Sequence, residues 1–588
     1  MFMFKNRLFN WLLLKRKMKI RAVVLIFVAF GIMGLVGCSV KENLTGAILT
    51  DNYIQTDADI PVVVNQVYAI YQGYSLYKSV ALNMILFGAD EFSSTSSQAN
   101  ALLHNQTASD IYIQQTWQSF FSAINVANNV IDAVNKAPLV TAAARQKVVG
   151  EMYFMRAFTY FNLVRLYGGV PVKLSPTQSS QNLYLPRQRV DSVYHQIFID
   201  LNSAVAMCIP YSQQPSTEWG RATKGAAQAI LALAYLTYGN YCDLNNRSSE
   251  SSQYYNLANT FADSVILSNQ YTLLPNYASI FDVSNEPNAY NEVIFGIQQT
   301  RDAATTSAGS KGSEIAYTTT SSELPKICGN LPYGYGAGAI KVQPWFYNLY
   351  SKGDYRDTIN KINDYRADFS FLTNWYKNDG VNPFFHIVTY PVIVPDSGSL
   401  TRESQPCFNK YNDPKGFDSR NNENDEYIIR LAEVYLIKAE ALNEMGQSAA
   451  ALIAFNKVRA RARLSNGITR NAPYDLQSGL SKEDFRLAVY NERGIELTGE
   501  FSRWFDDTRI QYLNTGKCML QWRYQTFYPS LTAVQMGLPQ WNTKTKTWSG
   551  GVVQPISVPQ WNDKFKLYPI PASELSSNPN FGGQNPGW

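Results

Sequence analysis

The clearest structural signal in the chain is residues 431–464, which read LAEVYLIKAEALNEMGQSAAALIAFNKVRARARL. Apolar residues recur in this segment at i, i+3, i+4 and i+7, which is the period of an amphipathic helix. Gly446, Ala451 and Phe455 follow Ala439 by 7, 12 and 16 residues. Small side chains at these positions let two consecutive helices approach closely, and Phe455 can fill the gap toward the next pair. The segment therefore predicts two helices packed as a hairpin.

These are the small and aromatic positions of a tetratricopeptide helix hairpin, and the Ala-rich pair 221–240 and 251–268 is similar with a longer loop. Hairpins of this kind bury their apolar faces only by stacking, so about three or more are expected. The helical period predicts helices at 58–78, 107–136, 141–167, 187–208, 221–240, 251–268, 427–446, 448–463 and 481–499. The expected fold class is therefore mainly α, with a tetratricopeptide-like helical-hairpin scaffold.

The helical pattern stops between about 271 and 425. This stretch is rich in Gly, Ser, Asn, Pro and aromatic residues, and it contains short β-like runs at 292–297 and 387–394. The last 70 residues are also irregular and rich in Trp, Pro and Asn. We expect a large, loop-rich insertion with short β-strands between two groups of helices.

Composition and charge exclude several classes of protein. The chain has 588 residues, of which 45% are hydrophobic and 16% charged, and its 35 Gly and 26 Pro follow no period, which excludes a disordered or fibrous chain. Seven basic residues and no acidic residue precede Cys38, which leaves 44 basic against 46 acidic residues from Cys38 onward. A nearly neutral chain has no electrostatic footprint for nucleic acid.

The N-terminus has the features of an export signal. A basic start, Met18–Arg21, precedes fifteen uncharged residues, 22–36, and the sequence then reads Gly-Cys38. The apolar run is shorter than the ~20 residues of a membrane-spanning helix. The Leu-Val-Gly-Cys ending resembles the bacterial lipoprotein cleavage box, in which the cysteine becomes the first mature residue and is acylated. An ordinary signal peptide with a nearby cysteine is the alternative.

The chain is therefore expected to have four segments: a lipoprotein signal peptide (1–37), a lipidated cysteine with its tether (38–56), an N-terminal helical region (57–270) and a C-terminal region (271–588). The C-terminal region is expected to comprise the insertion 271–425, the helices of 427–499 and an irregular C-terminal segment. The two regions are expected to pack as one globular unit.

The sequence supports neither a metal nor a cofactor. Five cysteines follow Cys38 without a C-x-x-C pair, so their disulfide state stays open, and the three histidines are far apart and lack a zinc motif. The oxygen-rich stretch 418–426 lacks the glycine of a calcium loop, although a calcium ion there stays an alternative to a solvated loop.

Two carboxylates, Glu492 and Glu496, lie one helical turn apart with Arg493 and Arg503 close in sequence. They could form an acid/base pair, but nothing around them resembles a substrate site. We interpret them as partners of arginine side chains that hold helices together. Two further arginines, 156 and 165, are similarly interpreted as buried-pair or capping residues.

Several sequence blocks resemble the SusD/RagB-like nutrient-binding outer-membrane lipoproteins of Bacteroidetes. The blocks are MRAFTYFNLVRLYGGVP at 155–171, IRLAEVYLIKAEA at 429–441, ERGIEL at 492–497 with RWFD at 503–506, and LYPIP at 567–571 with QNPGW at 584–588. A helix at 117–131 also resembles the family's preceding block, although Phe121 replaces its usual Tyr. The blocks occur in the family's order from about 115 to the C-terminus.

This resemblance implies a binding protein without enzymatic activity or cofactor. It implies an outer-membrane lipoprotein that faces the extracellular side, where it acts as the lid of a SusC-like TonB-dependent transporter. The implied cargo is an oligosaccharide, and in some members a peptide. A surface glycoside hydrolase with two carboxylates is the alternative from a different class.

Candidate cargo residues follow from the chemistry of sugars, whose C–H faces pack on aromatic rings while their hydroxyl groups bond short polar side chains. Tyr333 and Tyr335 alternate with glycines in the stretch PYGYG, which suits the display of both rings. Asp90 and Phe92 lie in a second candidate loop, and Trp375 lies in a third. The alternative for each aromatic residue is that it fills the core.

Overall fold

The computed structural model describes most of the chain. The described residues are 54–94, 106–177, 183–300, 340–350, 364–372, 374–377, 385–389, 407–413, 422–465, 467–530, 540–542, 547–549 and 560–588. Residues Ile54–Trp588 form one compact unit. No helix in these ranges is both long enough and apolar enough to cross a membrane.

The architecture is mainly α. The described helices of seven or more residues are α1 Ile60–Tyr71, α2 Val80–Gly88, α3 Ile111–Lys136, α4 Ala142–Tyr167, α5 Val190–Met207, α6 Lys224–Leu244, α7 Ser248–Ile266, α8 Leu431–Glu444, α9 Ser448–Ala462, α10 Lys482–Leu497 and α11 Arg503–Arg509.

Side-chain caps explain where several of these helices begin. The side chains of Asp110, Thr141, Thr223 and Ser481 accept hydrogen bonds from backbone N–H groups in the first turns of α3, α4, α6 and α10. Gly446, with a φ of +75°, ends α8 and opens the turn into α9, a conformation that favours glycine.

The helices stack in chain order. Helix α3 packs on α4, α4 on α5, α5 on α6 and α6 on α7, and α8 then packs on α7 as well as on α9 and α10. The stack therefore continues across the insertion that separates α7 from α8. The predicted hairpin scaffold with a loop-rich insertion is confirmed.

The hairpin formed by α8 and α9 has the predicted core. Ala439, Ala451 and Phe455 are fully buried in one apolar cluster. The ring of Phe455 lies 5.7 Å from that of Phe485 on α10, so it fills the gap toward the next helix as expected.

The strands are short and pair two by two. They are β1 Phe92–Ser94, β2 Val293–Ile297, β3 Ile340–Val342, β4 Phe371–Leu372, β5 Asn374–Lys377, β6 Phe385–Thr389, β7 Cys407–Phe408, β8 Glu426–Arg430, β9 Leu464–Ser465, β10 Ile468–Thr469, β11 Gln540–Asn542 and β12 Thr547–Ser549. The antiparallel pairs are β1 with β3, β2 with β8, β4 with β7, β5 with β6, β9 with β10 and β11 with β12.

Two helix predictions were wrong at their ends. The predicted helix 427–446 begins only at Leu431, because Glu426–Arg430 pairs as β8 with β2. The predicted helix 58–78 is broken after Tyr71: a short π-helix, Tyr74–Lys78, follows Gly73, and α2 begins at Val80. In both places a tertiary contact or a glycine overrides the apolar period.

The C-terminal segment closes the end of α4. The backbone N–H of Tyr568 donates to the carbonyl of Leu166 at 2.8 Å. The Asn585 amide donates to the carbonyls of Tyr167 at 3.1 Å and Tyr568 at 2.7 Å, and Arg187 donates to Tyr167 at 3.0 Å. Two regions that resemble family blocks, 155–171 and 567–588, are thus parts of one contact.

We predict that Phe455→Ala lowers the free energy of unfolding by about 3–5 kcal/mol, because the fully buried ring leaves a cavity between α9 and α10. Ile453 lies two residues away on the same helix and is 67% exposed, so Ile453→Ala should change it by about 0.5 kcal/mol or less. Urea unfolding of the mature chain measures both. Equal losses for the two variants would contradict the packing described here.

Candidate functional site

The carboxylate of Glu496 lies at the centre of a buried ion cluster. Arg366 donates to it at 2.7 Å, Arg430 donates at 2.6 Å, and Arg461 also donates to it. Burial alone would raise the pKa of Glu496, but the three guanidinium groups hold it well below its usual range. Glu496 is therefore ionised and fully engaged with protein groups.

The carboxylate of Glu492 has a similar environment. It accepts hydrogen bonds from Arg366 at 2.9 Å and from Arg459 at 2.8 Å. These arginines also hold its pKa below the usual value against the effect of burial. A general acid needs a raised pKa and access to substrate. The structural interpretation of Glu492 and Glu496 is confirmed, with partners from distant segments rather than the arginines close in sequence.

The two arginines close in sequence to Glu492 and Glu496 pair with other carboxylates. Arg493 donates to Glu433 and Asp506, both at 2.7 Å. Arg503 donates to Asp90 at 2.8 Å. Each of these pairs is buried.

The arginines of helix α4 are also structural. Arg156 donates through two nitrogens to Asp200, at 2.8 and 2.7 Å, and this buried fork confirms the expected pair. The guanidinium carbon of Arg165 lies 3.8 Å and 3.7 Å from the ring centroids of Phe161 and Phe505. Burial lowers the pKa of Arg165 to about 10.

Asp90 and Phe92, predicted as cargo contacts, lie in the interior. The Asp90 side chain pairs with Arg503 and Arg523 and is buried. The ring of Phe92 is 1% exposed and packs edge-on against Phe408, with centroids 5.4 Å apart. In this structure neither side chain presents a surface to a ligand, because ion pairs and ring contacts occupy both.

The other predicted site residues stay predictions. Tyr333, Tyr335 and Cys38 lie outside the described residues. The backbone of Trp375 forms part of β5, where it pairs with Val388 of β6.

The described part of the chain contains no group of three or more His, Cys, Asp or Glu side chains that could hold a metal ion. Cys208, Cys242 and Cys518 are buried free thiols. For all three, burial raises the pKa of the thiol above its usual value.

The insertion forms an open cleft of about 470 Å³, which lies within the usual size range of ligand sites. Phe281 and Phe369 line it, with ring centroids 5.9 Å apart; Phe281 is buried and Phe369 is half-buried. Asn276, Asn409 and Asp282 also line it. Aromatic rings beside short polar side chains are the combination that we expect for a sugar-binding surface. We name this site the insertion cleft.

The floor of the insertion cleft is tied to the ion cluster. The buried Lys410 ammonium lies 4.4 Å from the centroid of Phe281. The same ammonium donates to the backbone carbonyls of Glu496 at 3.2 Å and Thr498 at 3.1 Å, and to the Glu500 carboxylate. Burial lowers the pKa of Lys410 to about 8. The cleft is therefore built on a rigid base.

Sequence reasoning missed the insertion cleft. Its lining comes from three separate segments, 276–284, 369 and 409–413, none of which carries a motif. The aromatic and Asn-rich composition was the available signal, but only tertiary contacts bring the segments together.

Two family models match the chain. The model described as the SusD family matches residues 291–588, and the model described as starch-binding associating with outer membrane matches residues 48–236.

Several known proteins are similar over most of their length. A SusD-like protein of Formosa agariphila is 27% identical over 516 residues, covering 85% of this chain and 92% of that protein. The starch-binding protein SusD of Bacteroides thetaiotaomicron is 24% identical over 491 residues, covering 76% of this chain and 74% of that protein.

Solved structures share the fold. A SusD homologue from Bacteroides thetaiotaomicron superposes with a TM-score of 0.70 at 23% identity, covering 92% of this chain and 98% of that chain. A laminarin-binding SusD-like protein superposes with a TM-score of 0.64 at 21% identity, covering 91% of this chain and 100% of that chain.

We predict that Glu496→Gln lowers the free energy of unfolding at pH 7 by about 3–5 kcal/mol, because buried arginines lose their counter-charge. The folded-state pKa of Glu496 is depressed, so the loss should be full above about pH 5 and shrink as the pH falls below about 4.

The matched control is Asp132→Asn, which removes an exposed ion pair with Lys136 on α3. It should change the free energy of unfolding by about 0.5 kcal/mol or less. Urea unfolding at several pH values measures both variants. A Glu496→Gln protein as stable as the control would contradict the role of the cluster.

Proposed function

This chain belongs to the SusD family, and from that premise we propose that it captures glycans at the cell surface and delivers them to a SusC-like TonB-dependent transporter. The observation that carries the proposal is the insertion cleft, where the half-buried Phe369 and short polar residues line an open site on a rigid base. The names of two similar proteins, one starch-binding and one laminarin-binding, support a glycan as the cargo.

The chemistry of the insertion cleft suits capture rather than cleavage. Ring stacking and a few hydrogen bonds give modest affinity, and a Kd of ~1 mM corresponds to only about −4 kcal/mol. A lid over a transporter tolerates weak binding, because closure makes recapture intramolecular and raises the effective concentration of the cargo. Weak binding also lets the cargo leave toward the transporter. The protein is therefore proposed to be a binder and not an enzyme.

The proposed attachment is through the lipidated Cys38, with residues 38–56 as the tether and the outer membrane as the site. Two or more acyl chains make such anchoring stable. The residue directly after this segment is bonded to the helical scaffold. The Asp57 carboxylate accepts hydrogen bonds from the backbone N–H and the hydroxyl of Thr141, both at 2.8 Å. A short tether that ends in a fixed contact suits a lid that faces the cell exterior.

Further cargo contacts are proposed on the insertion. Tyr333, Tyr335 and Trp375 belong to the same insertion as the cleft by sequence, and we propose their rings as further contacts for the cargo.

We predict that the lipid-free chain, residues 39–588, is retarded in native gels that contain one of a panel of neutral glycans, including soluble starch and laminarin. Phe369→Ala and the double variant Tyr333→Ala/Tyr335→Ala should each weaken this retardation by about tenfold or more, because a stacking ring is lost. Tyr474→Ala is the control, since Tyr474 is 57% exposed and lies outside the cleft.

The same glycan should be recovered uncut after incubation with the protein. Release of shorter sugars would contradict the binding function and favour a glycoside hydrolase. If the protein retains peptides and not glycans, the proposed cargo is wrong, but the proposed role as a transporter lid is unaffected.

We also predict that radiolabelled palmitate labels the protein in its native host, and that Cys38→Ala abolishes the label, because the thiol is the acyl acceptor. Cys208→Ala, which removes a buried thiol, is the matched control and should keep the label. Labelling of the Cys38→Ala protein, or no labelling of the unchanged protein, would contradict the lipid anchor.

A further inference from the structure

We propose that a second cleft, lined by α1 and the loop 216–221, binds a neutral sugar unit. The inference rests on the glycan cargo proposed above and adds a site on the helical scaffold, away from the insertion cleft. The cavity measures about 350 Å³, at the lower end of the usual range for ligand sites. We name it the Trp219 cleft after its half-buried tryptophan.

One wall of the Trp219 cleft is a single face of α1. Asn65, Tyr68 and Gln72 follow one another at helical spacing and all line the cavity. The Tyr68 hydroxyl donates to Glu151 at 2.6 Å and accepts from the backbone N–H of Ala222 at 2.9 Å. These two bonds fix the helix against the loop that forms the other wall.

Trp219 is held in place by neighbouring aromatic residues. Its ring stacks on Tyr290 with centroids 5.7 Å apart and an interplanar angle of 29°. A ring that is stacked on a neighbour and only half-buried offers a sugar a fixed aromatic surface at little cost in conformational entropy.

The backbone beside Trp219 requires glycine. Gly220 has a φ of +80°, and a Cβ atom there would come within 2.4 Å of the Gln298 side chain. The opposite wall is closed by Gln72, whose amide donates to the carbonyl of Gln298 at 2.7 Å. The two walls therefore meet at Gln298, at the end of β2.

The polar groups of the Trp219 cleft are planar and pre-oriented. The Arg221 guanidinium donates to the Asn65 side chain at 2.7 Å and lies 3.8 Å from Glu218 and 3.9 Å from Glu151. Lys147 in turn pairs with Glu218. Amide and guanidinium groups of this kind can bond adjacent sugar hydroxyls.

The charge balance points to a neutral ligand. The two basic and two acidic side chains around the cleft, Arg221, Lys147, Glu151 and Glu218, compensate one another. An anionic sugar would meet carboxylates as well as cations. A peptide strand added to β2 would need the carbonyl of Gln298, which already accepts a hydrogen bond from Gln72.

A continuous series of aromatic contacts connects the two clefts through the protein interior. Trp219 packs on Tyr290 at 5.7 Å, Tyr290 on Tyr427 at 6.3 Å, Tyr427 on Phe281 at 5.7 Å and Phe281 on Phe369 at 5.9 Å. The half-buried end rings, Trp219 and Phe369, each line a cleft. Two weak sites on one rigid body raise the effective concentration of a bound polysaccharide at the second site.

The test uses ¹⁹F NMR of the lipid-free chain, residues 39–588, labelled with 5-fluorotryptophan at its ten tryptophans. Trp219→Phe assigns the resonance. The probes are maltohexaose, laminarihexaose, cellohexaose, xylohexaose and mannohexaose, each to about 10 mM, a range that covers weak binding. We expect at least one to shift the Trp219 resonance saturably.

Arg221→Lys keeps the charge but removes the planar fork, so it should weaken this saturation at least about fivefold. Tyr474→Ala, which is outside both clefts, should leave it unchanged. A panel that leaves the Trp219 resonance unmoved overturns the inference, as does a shift that Arg221→Lys does not weaken. A response to tetra-alanine in place of the sugars overturns the ligand class.

The test separates this inference from the proposed function. If glycan retardation in native gels persists while the Trp219 resonance does not respond, the second site is refuted and the insertion cleft remains the cargo site. If the Trp219 resonance responds while Phe369→Ala leaves retardation unchanged, the insertion cleft is refuted and the second site stands.

Discussion

The buried carboxylate of Glu496 is the constraint on which the rest of the structure depends. Its arginine partners come from three places: Arg366 from the insertion, Arg430 from the end of β8 and Arg461 from α9. Each of these charged side chains is buried away from water, so each stays ionised only because the opposite charges are beside it. The cluster thereby ties an irregular insertion to a regular stack of helices at a fixed place.

This tie explains how a loop-rich segment can carry a preformed site. Phe369 follows Arg366 within one short helix, and Lys410 holds Phe281 while it bonds the backbone of Glu496. The rings of the insertion cleft are thus set by the ion cluster rather than by the loops around them. Binding of the proposed glycan would then order few groups, so weak stacking contacts would suffice.

The helical scaffold could be predicted from sequence because its period and its small residues are local signals, as the hairpin around Phe455 illustrates. The strand Glu426–Arg430 could not, because its pairing partner lies more than a hundred residues earlier in the chain, at Val293–Ile297. The burial of Asp90 and Phe92 could not be predicted for the same reason. Their segment has the composition of a cargo loop, but Asp90 pairs with Arg503 and Phe92 packs on Phe408, and both partners are distant in sequence. Both clefts depend on segments that only the fold brings together.

The proposed role is that of a receptor that hands its cargo to a partner. The most direct measurement is purification of the tagged, full-length protein from outer membranes of its native host in mild detergent, followed by mass spectrometry. A TonB-dependent transporter should be recovered with it in equal amount. Recovery of the protein without such a transporter would contradict the proposed role as a lid.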